Sequence, residues 1–273
     1  MSRHIRQAAV AGSFYPGDPD ELRQQVDSFF SQAQADDASL GHSQPKALIV
    51  PHAGYIYSGA IATSAYQLLL PFRKIIKHVV LLGPAHRVAV QGLALSNSNA
   101  FNTPLGNVVL DNERTALIST LSYVNYVDAA HQYEHALEVQ LPFLQTVLDE
   151  FTLVPIVVGQ ASAKQIAQVL DKLWGNKDTL IIISSDLSHF HTYNDAKKID
   201  RTTVIAIEQL DEEKLHHDMA CGSNPIKGLL HLAREKNLLV KTLDIRNSGD
   251  TAGDMKRVVG YGAFAFYETH NNV

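Results

Sequence analysis

A chain of 273 residues, 45% hydrophobic and 19% charged, carries enough apolar material for a sizeable core, which excludes a disordered protein. Its formal charge of −5 supplies no basic face for a phosphate backbone, so nucleic acid is not an expected partner. No apolar run approaches the roughly 20 residues that cross a bilayer, and the start Met1-Ser2-Arg3-His4-Ile5-Arg6-Gln7 lacks the apolar core of a secretory signal, so the cytoplasm is the expected location and no membrane partner is expected.

The first segment, Ala11-Gly12-Ser13-Phe14-Tyr15-Pro16-Gly17, reads as loop. A helix follows, with Asp18 as N-cap, Pro19 at the first helical position, and Leu22, Val26, Phe29 and Phe30 at helical spacing. From Ser31 to Lys46 the residues are small and polar, which predicts a surface connection. Four apolar runs then predict strands buried on both faces: Lys46 to Val50, His78 to Gly83, Leu153 to Gly159 and Leu180 to Ser184. Helical periodicity falls between or after them, at Gly59 to Leu70, Asn112 to Leu121, Ala136 to Leu148, Ala163 to Leu173 and Asp195 to Leu210. Such alternation predicts a mainly parallel sheet with helices on both faces. The tail breaks the pattern: Leu238 to Ile245 and Val258 to Phe266, joined by a Ser-Gly-Asp-rich loop, predict an antiparallel edge. Neither an internal repeat nor a domain boundary is visible, so residues 1–273 are read as one domain.

In open α/β sheets the ligand crevice lies beyond the carboxyl ends of the strands. The predicted strands end in Pro51-His52-Ala53-Gly54-Tyr55-Ile56-Tyr57-Ser58-Gly59, in Gly83-Pro84-Ala85-His86 and in Ser184-Ser185-Asp186-Leu187-Ser188-His189. Three strands therefore deliver a histidine to one edge. Neutral imidazole is the commonest side-chain ligand for iron, copper, nickel and zinc, so His52, His86, Asp186 and His189 are expected to share a pocket able to hold a divalent metal. Asp186 can orient a ring, and His189 can give or take a proton. Alternatively, each histidine caps a helix or bonds a loop carbonyl. Cys221, the single cysteine, excludes a disulfide framework and is either buried filler or a soft ligand.

His131 and His135 are four apart, yet the His-Glu-x-x-His order of zinc enzymes is absent. His131 and Glu134 are read as lying in the loop before a helix that starts near Ala136, with His135 lining the pocket mouth. His191 and His216-His217 are read as surface. Phosphate loops, dinucleotide fingerprints and the Gly-x-Ser-x-Gly elbow are all missing from the sequence, which removes nucleotide handling and serine hydrolysis.

The ordered set Ala-Gly-Ser-Phe-Tyr-Pro at 11 to 16, Pro-His-Ala-Gly-Tyr at 51 to 55, Gly-Pro-Ala-His at 83 to 86, Glu-His at 134 to 135 with Glu138, Ser-Ser-Asp-Leu-Ser-His at 184 to 189, and Cys221-Gly222 resembles the Memo family from end to end. That family is similar in fold to class III extradiol dioxygenases, non-haem iron enzymes that cleave catechols, which implies a three-layer α/β/α sandwich here. Carried over by position, the resemblance implies that His52 and His86 match two histidine ligands of the iron and that His189 matches the proton-transfer histidine. Cys221 stands where a carboxylate ligand is expected. It further implies an iron or copper cofactor with redox chemistry, or a peptide or small molecule held in the same pocket, where Phe14, Tyr15, Tyr55 and Tyr57 would supply aromatic contact. Position 14 is Phe where animal members carry Trp, and position 136 is Ala where Ser is usual. Bacterial members often accompany a radical S-adenosylmethionine enzyme and a further protein, which are the partners the resemblance implies.

Overall fold

The central strands form where four short apolar runs can be buried on both sides. In a computed structural model describing residues 4–33 and 43–269, β1 is Ile5–Arg6, α1 Pro19–Gln32, β2 Ala47–Val50, α2 Tyr55–Tyr66, β3 His78–Pro84, β4 Leu93–Leu95, β5 Ala100–Thr103, β6 Gly106–Val109, α3 Asn112–Ile118, β7 Val124–Tyr126, α4 Asp128–Gln132, α5 Leu141–Val147, β8 Thr152–Val158, α6 Ala163–Lys172, β9 Thr179–Ser184, β10 His189–His191, α7 Tyr193–Glu208, α8 Ser223–Glu235, β11 Leu239–Asn247 and β12 Val258–Tyr267. Strands β2, β9, β3 and β8 run parallel in that order. Antiparallel neighbours flank them: β12 on β2, with β11 beyond it, and β4 on β8, with β7 beyond. The architecture is α/β with a mixed, mainly parallel central sheet and an antiparallel edge, as the extradiol dioxygenase-like expectation requires.

Alternation along each strand divides the core in two, because successive side chains point to opposite faces. Leu48, Val50, Val79, Leu81, Leu180 and Ile182 pack on one side with Leu22, Ile61, Tyr66 and Phe143 from α1, α2 and α5. Ala47, Ile49, Val80, Leu82, Ile181 and Ile183 pack on the other with Ile166, Leu170, Val204, Ile207 and Leu229 from α6, α7 and α8. Helices on both faces make the three layers.

Local chemistry places the helix ends. Asp18 accepts the backbone N–H groups of Asp20 and Glu21, with Pro19 at the first position, and Ser162 closes a reciprocal capping box with Gln165. Several boundaries differ from the periodicity. The helix expected from Gly59 begins at Tyr55 and tightens into a 3-10 segment, Gln67–Phe72, that contains Pro71. The one expected over Ala136 to Leu148 is a 3-10 turn, Glu138–Gln140, leading into α5, whose second residue is Pro142; a proline lacks the N–H of a helix interior. Helix α3 stops at Ile118 rather than Leu121. Helix α8 was not expected from sequence, because Pro225 and Gly228 interrupt its pattern. Most of the polar connection predicted after Ser31, residues 34–42, and the start of the chain, residues 1–3, lie outside the described residues. Among the described residues no helix is long and apolar enough to cross a membrane.

Candidate metal centre

The carboxyl ends of β2, β9 and β3 are adjacent, so the chain leaving each strand turns on one edge of the sheet, where the crevice of such folds lies. Strand β2 leads into His52, β3 into His86 and β9 into Asp186.

The His52 ring is fully buried, with Nδ1 3.0 Å from Ser184 Oγ. The Ser184 hydroxyl has one proton, and it donates that proton to the Ala136 carbonyl at 2.6 Å while accepting from Gln140 Nε2 at 2.8 Å. A carbonyl only accepts, so the bond between Ser184 and His52 must be donated by Nδ1–H. The lone pair of His52 is thereby left on Nε2, which faces Cys221 Sγ at 3.2 Å.

Glu134 does the same for His86. Its carboxylate accepts the His86 backbone N–H at 2.7 Å, the ring Nδ1–H at 2.8 Å and the Ala136 N–H at 3.0 Å. Burial pushes the Glu134 carboxyl up, but these bonds outweigh it and hold the group at about 2. Carboxylate to imidazole is the usual arrangement that fixes the tautomer of a ligating histidine.

His135 supplies a third ring. It stacks on His86 at 4.7 Å between centroids and stands edge-on to His52 at 5.4 Å, and its buried Nδ1, 3.4 Å from Glu134 Oε1, makes no hydrogen bond among the described residues. One ring nitrogen from each of His52, His86 and His135 lies within 4.8 Å of the others. Burial, then the neighbouring imidazoles, hold His52 at about 3 and His135 at about 4. Both rings are neutral at physiological pH, the form that ligates a metal.

Around the rings, Asp186 is buried and its carboxylate accepts the His52 backbone N–H at 2.7 Å; burial raises its pKa. His189, half-buried at the head of β10, is close enough for its charge to bear on both His52 and Asp186. Burial, then the Asp186 charge, push the Cys221 thiol up to about 12. Two glycines let the backbone close in. A Cβ at Gly222 would lie 2.6 Å from Ser185 Cβ, so only glycine lets the turn after Cys221 sit against the end of β9, and a Cβ at Gly83 would meet Leu137 at 2.9 Å, on the loop that carries His135.

The sequence-derived residues do not all gather. His52, His86 and Cys221 do, with Asp186 and His189 beside them. Phe14 lies 4.9 Å from the His135 ring, and Tyr57 is half-buried. Tyr15 and Tyr55, expected to line the pocket, are core residues, 3% and 2% exposed. Their hydroxyls donate to Glu138 and to the Val139 carbonyl at 2.6 and 2.7 Å, because Glu138 is buried with Arg6 and anchors the loop around Phe14 through the Ala9 and Val10 N–H groups. His131 donates Nε2–H to the Ala94 carbonyl at 3.0 Å. The roles of Glu134 and Ser184 and the approach of His135 to His52 and His86 are not visible in the sequence pattern; the one available signal is a Glu-His pair ahead of residues 136–144, which are buried throughout.

The family model for Memo-like proteins matches residues 6–265 of this chain. A "MEMO1 family protein" of Aquifex aeolicus (strain VF5) is 38% identical over 276 residues, covering 96% of this chain and 99% of the relative. Relatives with the same description from Methanobrevibacter smithii and Sulfolobus acidocaldarius are 35% and 34% identical, with the same coverage of both chains. With the match running through the strand ends that carry His52 and His86, the loop of His135 and the turn of Cys221, the chain belongs to the Memo-like protein family.

Proposed function

We propose that this chain is a redox-type metalloprotein in which His52, His86 and His135, joined by Cys221, hold iron or copper. The observation that carries the reading is the lone-pair direction: the Nδ1–H groups of His52 and His86 donate to Ser184 and Glu134, so their Nε2 atoms are left for an ion. Imidazole with thiol suits copper(I) or iron and is a poor set for magnesium or calcium, which take oxygen. A bound ion of this kind would supply one-electron chemistry. Within the pocket, Asp186 fixes the His52 backbone, His189 gives or takes a proton, and Phe14 packs against His135 at 4.9 Å between ring centroids. The fold and the placement of His52, His86 and His189 also support a second reading, an extradiol-type oxygenase. It ranks below the first because a thiol and a third imidazole occupy the place of a carboxylate ligand. A binding module for a peptide ranks third, since Tyr15 and Tyr55 are withdrawn into the core. A radical S-adenosylmethionine enzyme as partner and cytoplasmic residence belong to the same proposal, the first resting on the resemblance alone.

Metal analysis of protein purified without chelator tests the first reading: iron or copper is expected near one equivalent, and a His52→Ala/His86→Ala double variant that keeps it would sink the idea. Oxygen uptake with a panel of catechols under ferrous iron separates the second reading, which silence across the panel removes.

A further inference from the structure

Away from the histidines, a cavity of about 590 Å³ opens between α7 and the edge strand β11, within the range of about 300–1,000 Å³ usual for small-molecule sites. Lys197, Asp200, Arg201 and Val204 line it from α7 at spacings of three and four, so they share one helix face. Much of its acidic lining is committed elsewhere. Asp250 accepts the Tyr193 hydroxyl at 2.6 Å and the Asn247 N–H at 2.9 Å, and Glu208 accepts the Thr242 hydroxyl at 2.7 Å. Arg246 is held by Asp244. Arg201 has no ion-pair or hydrogen-bond partner among the described residues, and Lys197 only rests over the Tyr193 ring at 5.3 Å.

Two side chains more than nine-tenths buried complete the lining. Asn247, 1% exposed, turns its Oδ1 to the Gly249 N–H at 2.9 Å, and its Nδ2 donor has no partner among the described residues. Asp200, 3% exposed, accepts the Ser188 N–H at 3.0 Å through Oδ1, and its second oxygen lies over Gly260, the residue that pairs with Asn247 across the strands. An unused donor beside an unused acceptor is matched by a hydroxyl, which accepts from one and donates to the other; an ammonium would leave Asn247 unmet. Lys197 and Arg201 flank Asp200 on the same helix face and suit a carboxylate, while Tyr193, Val204 and Ile245 offer apolar surface.

We propose that this cavity binds a small hydroxycarboxylate with an apolar body, its hydroxyl on Asp200 and Asn247 and its carboxylate on Arg201 and Lys197. The site stands independently of any metal at the histidine cluster. Calorimetric titration of the full chain with 3-phenyllactate, phenylalanine and 3-phenylpropionate tests it, because the three differ only in carrying a hydroxyl, an ammonium or neither. Phenyllactate is expected to bind best, with the other two and the Arg201→Ala and Lys197→Ala variants weaker by about tenfold, the worth of one charge-assisted hydrogen bond. Both substituted residues are exposed, and a circular dichroism spectrum checks that the variants remain folded. Equal affinity for the three probes, no binding of phenyllactate, or binding that survives Arg201→Ala but is lost in His52→Ala overturns the proposal.

Discussion

Ser184 has a single hydroxyl proton, and its destination on the Ala136 carbonyl determines which nitrogen His52 can offer. Glu134 plays the corresponding part for His86 with two strong acceptor oxygens. Replacing it by Gln keeps the shape but offers Nδ1 an amide in place of a carboxylate. The Glu134→Gln variant is therefore expected to lose about 10–100-fold in metal affinity, read by titration with cobalt(II) followed in the visible spectrum. Glu138 makes a different contribution. It is fully buried against Arg6 and accepts from Tyr15, Ala9 and Val10, so Glu138→Ala strands a buried guanidinium. Urea unfolding should show a loss of about 3–5 kcal/mol. In the sequence, Glu134 and Glu138 look alike, two glutamates near a histidine; the difference between orienting a ligand and anchoring a loop lies in what each one touches.

At the scale of elements, the parallel strands were legible because a run such as Leu180-Ile181-Ile182-Ile183 has no polar side to expose. Helix α8, whose pattern Pro225 and Gly228 interrupt, and the three-residue strands β4 and β7, too short to carry a period, were not. The missed helix matters, because Cys221 sits at its entrance, against the end of β9. Gly222 permits that approach, with its N–H donating to Ser185 Oγ at 2.9 Å. Gly222→Ala would drive a methyl into Ser185, and a destabilisation of about 1–3 kcal/mol is expected. The same change should weaken the sulfur-to-metal charge-transfer band of the cobalt(II)-loaded protein, as Cys221 is pushed from His52; a cobalt(II)-loaded wild type with no such band would show that the thiol does not ligate.

Across the whole molecule, the sheet has a chemical end and a structural end. Lys46, at the structural end just before β2, is buried and donates to the Asn176 and Thr179 carbonyls at 2.8 and 2.9 Å. Burial lowers its pKa from 10.5 to about 8. Between those two values the unfolded chain binds more protons than the folded one, so this residue makes stability rise with pH across the window, and its cost is complete below pH 8. Relative to Lys46→Met, the wild type should gain about 1–2 kcal/mol of unfolding free energy from one end of the window to the other, allowing for solvent screening. Chemical denaturation at a series of pH values measures it, and parallel curves would contradict it.

By itself the sequence determined the parallel centre, the antiparallel edge and the arrival of His52 and His86 at one rim, because burial on both faces and strand-end position are local properties of the chain. Tertiary structure alone decided that His135 joins them, that the Tyr15 and Tyr55 hydroxyls are committed inside the core, and which nitrogens are free. Those outcomes depend on hydrogen bonds across long separations, such as Ser184 to Ala136 and Glu134 to His86, and no periodicity along the chain encodes them.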